Sequence, residues 1–413
     1  MVAGLITDEG VAALRARIGI PHPNPVPPHY RRPGEDAFRN VARCYGDDNP
    51  LWSEPDYAAK SRWGGLIAPP PLVGGDSLIG TDVLSGTERE AAKALKGDPL
   101  RGVHAFYAAA ERDWWAPLTP GHSLSRRNAL VAVHDKPSQF GGRAVYEWEA
   151  QLFRTDDGVL VGGQYRCMVR TEREKARKRK KESVQAQTWG PEEIAEIDAA
   201  GEAHTRRGAE PRWFEDLSVG DSTGTMIKGP LTVTDMICWH VGMGMGIYGV
   251  AALDLARANR RRIPRFYEPD ALGIPDVMQR VHWDPAYAHK AGLPTTYDYG
   301  RMRETWLIHL LTDWMGDDAW LRWLRVEFRK FNYVGDAQYL SGTVTRLHRD
   351  EGGRPAADLD LTAVNQRGET TTTGKATVLL PSREHGPVRL PDQPGTSLEE
   401  AMDAAVTVFS GRD

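Results

Sequence analysis

A chain of 413 residues is long enough for two or three domains with sizeable cores. Its 52 Lys and Arg against 56 Asp and Glu leave a formal charge of −4, with no electrostatic footprint for nucleic acid or a membrane surface. Three cysteines without paired spacing (Cys44, Cys167, Cys238) argue against a disulfide framework or thiolate zinc site. With no leader-like N-terminus and no apolar run of spanning length, the expectation is a cytoplasmic protein.

In chain order, Thr7 is placed to N-cap a short helix through Ala12, Leu14 and Ala16, ended by the prolines from Pro21 to Pro28. That proline run reads as an extended arm, residues 1–29. A helical pattern follows over Asp36–Tyr45, then a turn at Gly64-Gly65. Strand-rich sequence after Pro120-Gly121 ends in a hairpin, Tyr146–Phe153 and Val159–Val169 about Asp157-Gly158. The run RTEREKARKRKK, Arg170–Lys181, has no interleaved aromatics, so it reads as the start of a solvated linker (172–211) rather than a nucleic-acid patch.

The same layout then repeats. Thr234–Trp239 is helical, Gly292 marks a turn, and strands after Val334-Gly335-Asp336 end in a second hairpin, Asp358–Val364 and Glu369–Leu379 about Arg367-Gly368. The best helix in the chain runs from Arg303, with Trp306, Leu307, Leu310, Leu311 and Trp314 at helical spacing and Gly316 as its stop. Its counterpart in the first copy, Pro69–Gly75, starts a helix poorly because proline removes donors and glycine costs helix stability. The tail, 381–413, holds a capping-box start at Ser397. The duplication predicts two α+β units, 30–171 and 212–380, each laying an antiparallel sheet against a helix. The tryptophans, including Trp114-Trp115, are scattered as core residues are.

Two segments carry chemistry. The first is Tyr45-Gly46-Asp47-Asp48-Asn49-Pro50-Leu51-Trp52, with Ala58 six residues after Trp52. The second is Arg280-Val281-His282-Trp283-Asp284-Pro285, with Ala288 six residues after His282. The first string resembles the signature of MaoC-like hydratases and acyl dehydratases: an aromatic, Gly-Asp-x-Asn-Pro, an aliphatic, His, and a small residue six later. The continuation Tyr57–Pro70 resembles the FAS1-like dehydratase half of two-domain members. Arg212-Trp213-Phe214-Glu215-Asp216, followed by Gly229-Pro230-Leu231-Thr232, resembles the entry to their second half.

The resemblance implies a double hotdog, two sheets each wrapped around a central helix and paired within one chain. It implies reversible hydration of a 2-enoyl-CoA by an Asp–His pair, the thioester carbonyl sitting at the N-terminus of the central helix. No metal and no cofactor beyond the coenzyme A of the substrate is implied. The partner is the acyl-CoA thioester, with no nucleic acid and no membrane insertion, and a homodimer of pseudo-dimers is open.

Here the sequence departs from the family. Trp52 stands at the His position of the first half, and Trp accepts no proton, so the first half should be degenerate. The second half has His282 at that position but lacks the Gly-Asp-x-Asn-Pro string. The expected catalytic set is therefore His282 with Asp276, one residue out of the family spacing, or with Asp298. Gly300, Tyr297, Asp47, Asn49 and Trp52 are the expected substrate-contacting positions. Asp47, without its His, is expected to turn its own loop. Arg301 and Arg303 read equally as phosphate contacts or an exposed helix face, and His240 as a rival base or a structural histidine. The alternating Gly242-Met243-Gly244-Met245-Gly246 reads as an acyl-chain wall or an ordinary loop. Two other functions stay open: a non-catalytic acyl-CoA-binding partner subunit, and a thioesterase with Asp298 at the carbonyl.

Overall fold

The computed structural model describes residues 4–24, 26–75, 78–95, 97–138, 142–172 and 187–412. Most of the basic run ending at Lys181 lies outside the described residues; the expected linker contributes one helix, Pro191–Ala203.

The first unit supplies β1 (Thr81–Asp82), β2 (His104–Trp114), β3 (Leu124–Ser138), β4 (Gly142–Thr155) and β5 (Leu160–Thr171). The second supplies β6 (Ser222–Lys228), β9 (Trp320–Phe328), β10 (Gln338–Arg349), β11 (Pro355–Asn365) and β12 (Thr370–Leu379). Between them β7 (Tyr267–Pro269) and β8 (Pro275–Val277) form a small separate hairpin. Both long hairpins, β4–β5 and β11–β12, fall where alternation and Gly-bearing turns put them. The ten main strands make one sheet in the order β1-β3-β4-β5-β2-β9-β12-β11-β10-β6. The units join where β2 runs antiparallel to β9, with Ala109 opposite Glu327 and Asp113 opposite Trp323. The fold is an α+β double hotdog with a continuous sheet.

The central helix of the second unit, Gly300–Met315, is buried along its whole length from Arg301 onward. Its apolar stripe packs on the sheet, and Gly316, with φ of 76°, ends it. Burial on every side means that its polar residues are enclosed as well, each needing a partner. Arg301 and Arg303 are among them, 5% and 3% exposed, so neither forms an exposed helix face.

The first unit differs. Where its own helix was expected, the prolines leave a single 3-10 turn, Pro70–Leu72. The concave face there is filled by Leu72, Val73, Trp114 and the loop that follows the Gly-Asp-x-Asn-Pro string. The outer face of this sheet is covered by the chain ends. The helix Leu398–Ser410, capped by Ser397 accepting from the Glu400 N–H, stacks Phe409 on Tyr165 with ring centroids 4.5 Å apart. The helix Asp8–Arg15, capped by Thr7, packs on Leu130, Val133 and Val145. Among the described residues no helix is long and apolar enough to cross a membrane.

Candidate active site

His282 closes a short 3-10 turn, Met278–His282, just before the chain enters the central helix. Its Nδ1 lies 2.8 Å from the Tyr297 carbonyl oxygen, so Nδ1–H donates there and Nε2 keeps its lone pair. No other hydrogen bond to His282 occurs among the described residues. Its ring packs against Tyr299, centroids 3.8 Å apart, and meets the edge of Tyr297 at 4.6 Å. The Tyr299 hydroxyl sits 2.8 Å from Nδ1 of His240, which is held on the helix Val233–Gly242. Burial pushes the His282 imidazole down to about 4, against the pull of the Tyr297 carbonyl and helped by His240 nearby. Burial pushes His240 to about 4 too. Both rings are therefore neutral at pH 7.

Tyr299 is the N-cap of the central helix and Gly300 its first residue. A side chain at Gly300 would meet Tyr107 at 3.2 Å and Phe328 at 3.5 Å, two stacked rings that close over the helix start. The Gly300 N–H has no acceptor among the described residues, and the helix dipole adds to its positive end. A neutral base with a free nitrogen thus stands beside an anion-stabilising helix N-terminus.

The structure does not bring either expected carboxylate to His282. Asp298 is fully buried and engaged by Arg303 (2.8 Å to Nε) and the Asn332 amide (3.2 Å). Burial pushes its carboxyl up to about 6, with Arg303 and Asn332 pulling the other way. A carboxylate enclosed this deeply stays charged only by pairing, and Arg303, five residues on, takes that role. Asp276 accepts from the Val277 N–H and lies 3.8 Å from Arg280, partly in solvent. Arg301 donates to the Gly74 carbonyl at 2.7 Å. Arg112 of β2 pairs with Glu304 inside the protein and donates to the Val73 carbonyl at 2.7 Å. These arginines tie the central helix of one unit to the shortened helix of the other.

The first-unit motif forms a different kind of centre. Asp47, 1% exposed, accepts from Tyr45 Oη (3.0 Å), Trp52 Nε1 (3.0 Å) and the Asn49 N–H (2.9 Å). The indole N–H does the holding that a histidine N–H could do, without its basicity. The Asn49 side chain caps Pro50–Ser53 and donates to Asp317, which also accepts from Tyr57 at 2.6 Å. Sequence reading missed what faces Asp47: His309 and Asp313 of the central helix, His204, and Lys228 of β6. His309 Nε2 lies 3.8 Å from Asp47 and 3.3 Å from Asp313, while its Nδ1 is 2.8 Å from the Lys228 ammonium. Burial lowers Lys228 to about 8 despite Asp47 and Asp313. The available signal was His309 and Asp313, four apart, in the mostly apolar half of the helix from Trp306 onward.

A cavity lined by Trp52, Trp63, Trp114, Trp320, Ile67 and Met315 lies between the two units, at the far end of the central helix from His282. His282, Tyr299 and Gly300 do not line it. The Gly and Met run is not its wall. Gly242 lets its helix approach Cys44 of the helix Glu35–Cys44, where a Cβ would sit 2.3 Å from the Cys44 Cβ. Gly244, with φ of 68°, packs on His29 and Leu78.

Residues 34–161 match the family model of the FAS1-like dehydratase domain region. Among solved structures, a MaoC-like dehydratase superposes with a TM-score of 0.58 at 16% identity, covering 89% of this chain and 99% of that one. A putative MaoC domain dehydratase from Chloroflexus aurantiacus J-10-fl gives 0.52 at 11%, covering 86% and 93%. No protein of curated function matches this chain. Residues 34–161 are thus similar in sequence to a FAS1-like dehydratase region, and the whole chain shares the fold of MaoC-like dehydratases.

Proposed function

We propose that this chain is an acyl-CoA dehydratase, or enoyl-CoA hydratase, that adds water reversibly to a 2-enoyl thioester from a site in its second unit. The observation that carries the reading is His282: Nδ1–H is held by the Tyr297 carbonyl, which leaves Nε2 as a base beside the Gly300 N–H. In this reading Nε2 takes a proton from water as its oxygen attacks the β-carbon. The enolate charge gathers on the thioester oxygen facing the helix N-terminus, and the imidazolium returns the proton to the α-carbon.

The test is to mix the protein with crotonyl-CoA and a long-chain enoyl-CoA and follow the conjugated-enoyl absorbance. The expected result is loss of absorbance without release of free thiol.

A specific observation favours a second reading, a non-catalytic acyl-CoA-binding subunit: among the described residues no carboxylate is bonded to His282, and burial disfavours its charged form. Tight binding of CoA esters without turnover selects that reading. Thiol release would select a thioesterase, for which Asp298 is poorly placed, paired as it is to Arg303.

A further inference from the structure

The side chains around the first-unit motif do more than hold a loop. Asp47, His309 and Asp313 are all buried, and their ligand atoms lie within 4.8 Å of one another. His204 lies outside that group and bonds to one member of it, its Nε2 2.9 Å from Asp313 Oδ2. Asp313 is 3% exposed, and its second oxygen, Oδ1, has no hydrogen-bond partner. A buried carboxylate oxygen left in this state is costly, and the group calls for a cation.

From this geometry we infer that Asp47, His309 and Asp313 form a three-residue site for a divalent first-row metal ion, zinc being the best match, with His204 an outer partner of Asp313. The donor set is one imidazole nitrogen and two carboxylate oxygens, which zinc takes with bonds of ~2.0–2.2 Å and completes with a solvent molecule. Such bonds in a tetrahedron set donors roughly 3.3–3.6 Å apart. The His309 Nε2 distances of 3.3 Å to Asp313 and 3.8 Å to Asp47 bracket that spacing.

Protons balance in one exchange. The metal enters as His309 Nε2 releases its proton to solvent, and Lys228 passes a proton to Nδ1. The neutral amine then accepts from Nδ1–H, an outer hydrogen bond of the kind metal-bound histidines make. An entry path exists at a polar pocket lined by Asp47 itself with Asp48, Glu54, Arg39 and Arg43. Because Asp47 belongs to the first unit and His309 to the second, the ion would clamp the two units together, away from His282.

The experiment is titration of the full chain, stripped with a chelator, with Zn2+ and separately with Co2+. The expected result is one equivalent bound with micromolar or tighter affinity, a rise in Tm, and visible Co2+ bands of a four-coordinate nitrogen and oxygen site. His204→Gln, at the partly exposed edge of the site, should weaken binding at least tenfold while folding normally. The exposed cluster His122, Asp156 and Asp157 is the internal control, and His122→Gln should leave binding intact. Absence of Tm change and Co2+ bands in the wild type overturns the inference, as does binding lost in His122→Gln but kept in His204→Gln. None of these readouts depends on hydration activity.

Discussion

The two units have kept complementary parts of one ancestral plan. The first keeps the loop Tyr45-Gly46-Asp47-Asp48-Asn49-Pro50 in full, but its histidine is Trp52 and its helix is a single turn, Pro70–Leu72. The second keeps a complete buried helix and His282, but has no acid beside that histidine. A motif can therefore outlive its chemistry. Asp47 is fixed by Tyr45, Asn49 and Trp52 and faces His309, so it now joins the units. In the proposed function the chemistry goes to what a loop alone cannot supply, a helix N-terminus with a base at its side.

The comparison can be broken or sharpened by substitution. The largest effect should come from His282→Gln, which removes the base beside Gly300; hydration should fall by ~10²–10⁴ in kcat/KM with Tm unchanged. Next is Glu304→Gln, which leaves Arg112 charged and buried. A cost of about 3–5 kcal/mol is expected, read as a lower denaturant midpoint with little change in m-value. Trp52→Phe removes one donor from buried Asp47 and should cost about 1–3 kcal/mol, with the rate of the intact enzyme changed far less. Trp52→His should not rescue His282→Gln, because the first unit has only the 3-10 turn Pro70–Leu72 where a central helix would receive the enolate.

The pH dependence separates the units too. His240 and His282 have folded-state pKa values depressed to about 4, whereas in the unfolded chain they titrate near 6.5. Between those values the unfolded chain binds more protons, so the stability from their neutral burial is present above ~6.5 and is lost as pH falls toward 4. A thermal melt series should show this loss, and His240→Asn should reduce its slope. The acid limb of kcat/KM should fall near 4 rather than near 6.5.

Much of this was legible in the sequence. The repeat, both hairpins and the helix ending at Gly316 follow from periodicity and turn residues, which are local. The prolines of Pro69-Pro70-Pro71 warned that the first helix was weak, and it is a single turn. The site was legible only in part. His282 could be aligned by its spacing to Ala288, but its neighbours come from afar: His240 and Tyr299, 59 residues apart, meet through one hydrogen bond. Asp298 and Asp276 were close in sequence, and closeness misled, because Arg303 and Arg280 claim them first. His309, Asp313, His204 and Lys228 were invisible because each is unremarkable alone and their meeting needs both units folded.

The central claim is that catalysis sits in the unit without the motif. The most direct measurement compares His282→Gln and Asp47→Ala side by side for hydration rate and melting temperature. The account predicts that His282→Gln melts like the wild type and loses ~10²–10⁴ in rate, while Asp47→Ala melts lower and loses less than tenfold. A rate destroyed by Asp47→Ala and retained in His282→Gln would contradict it.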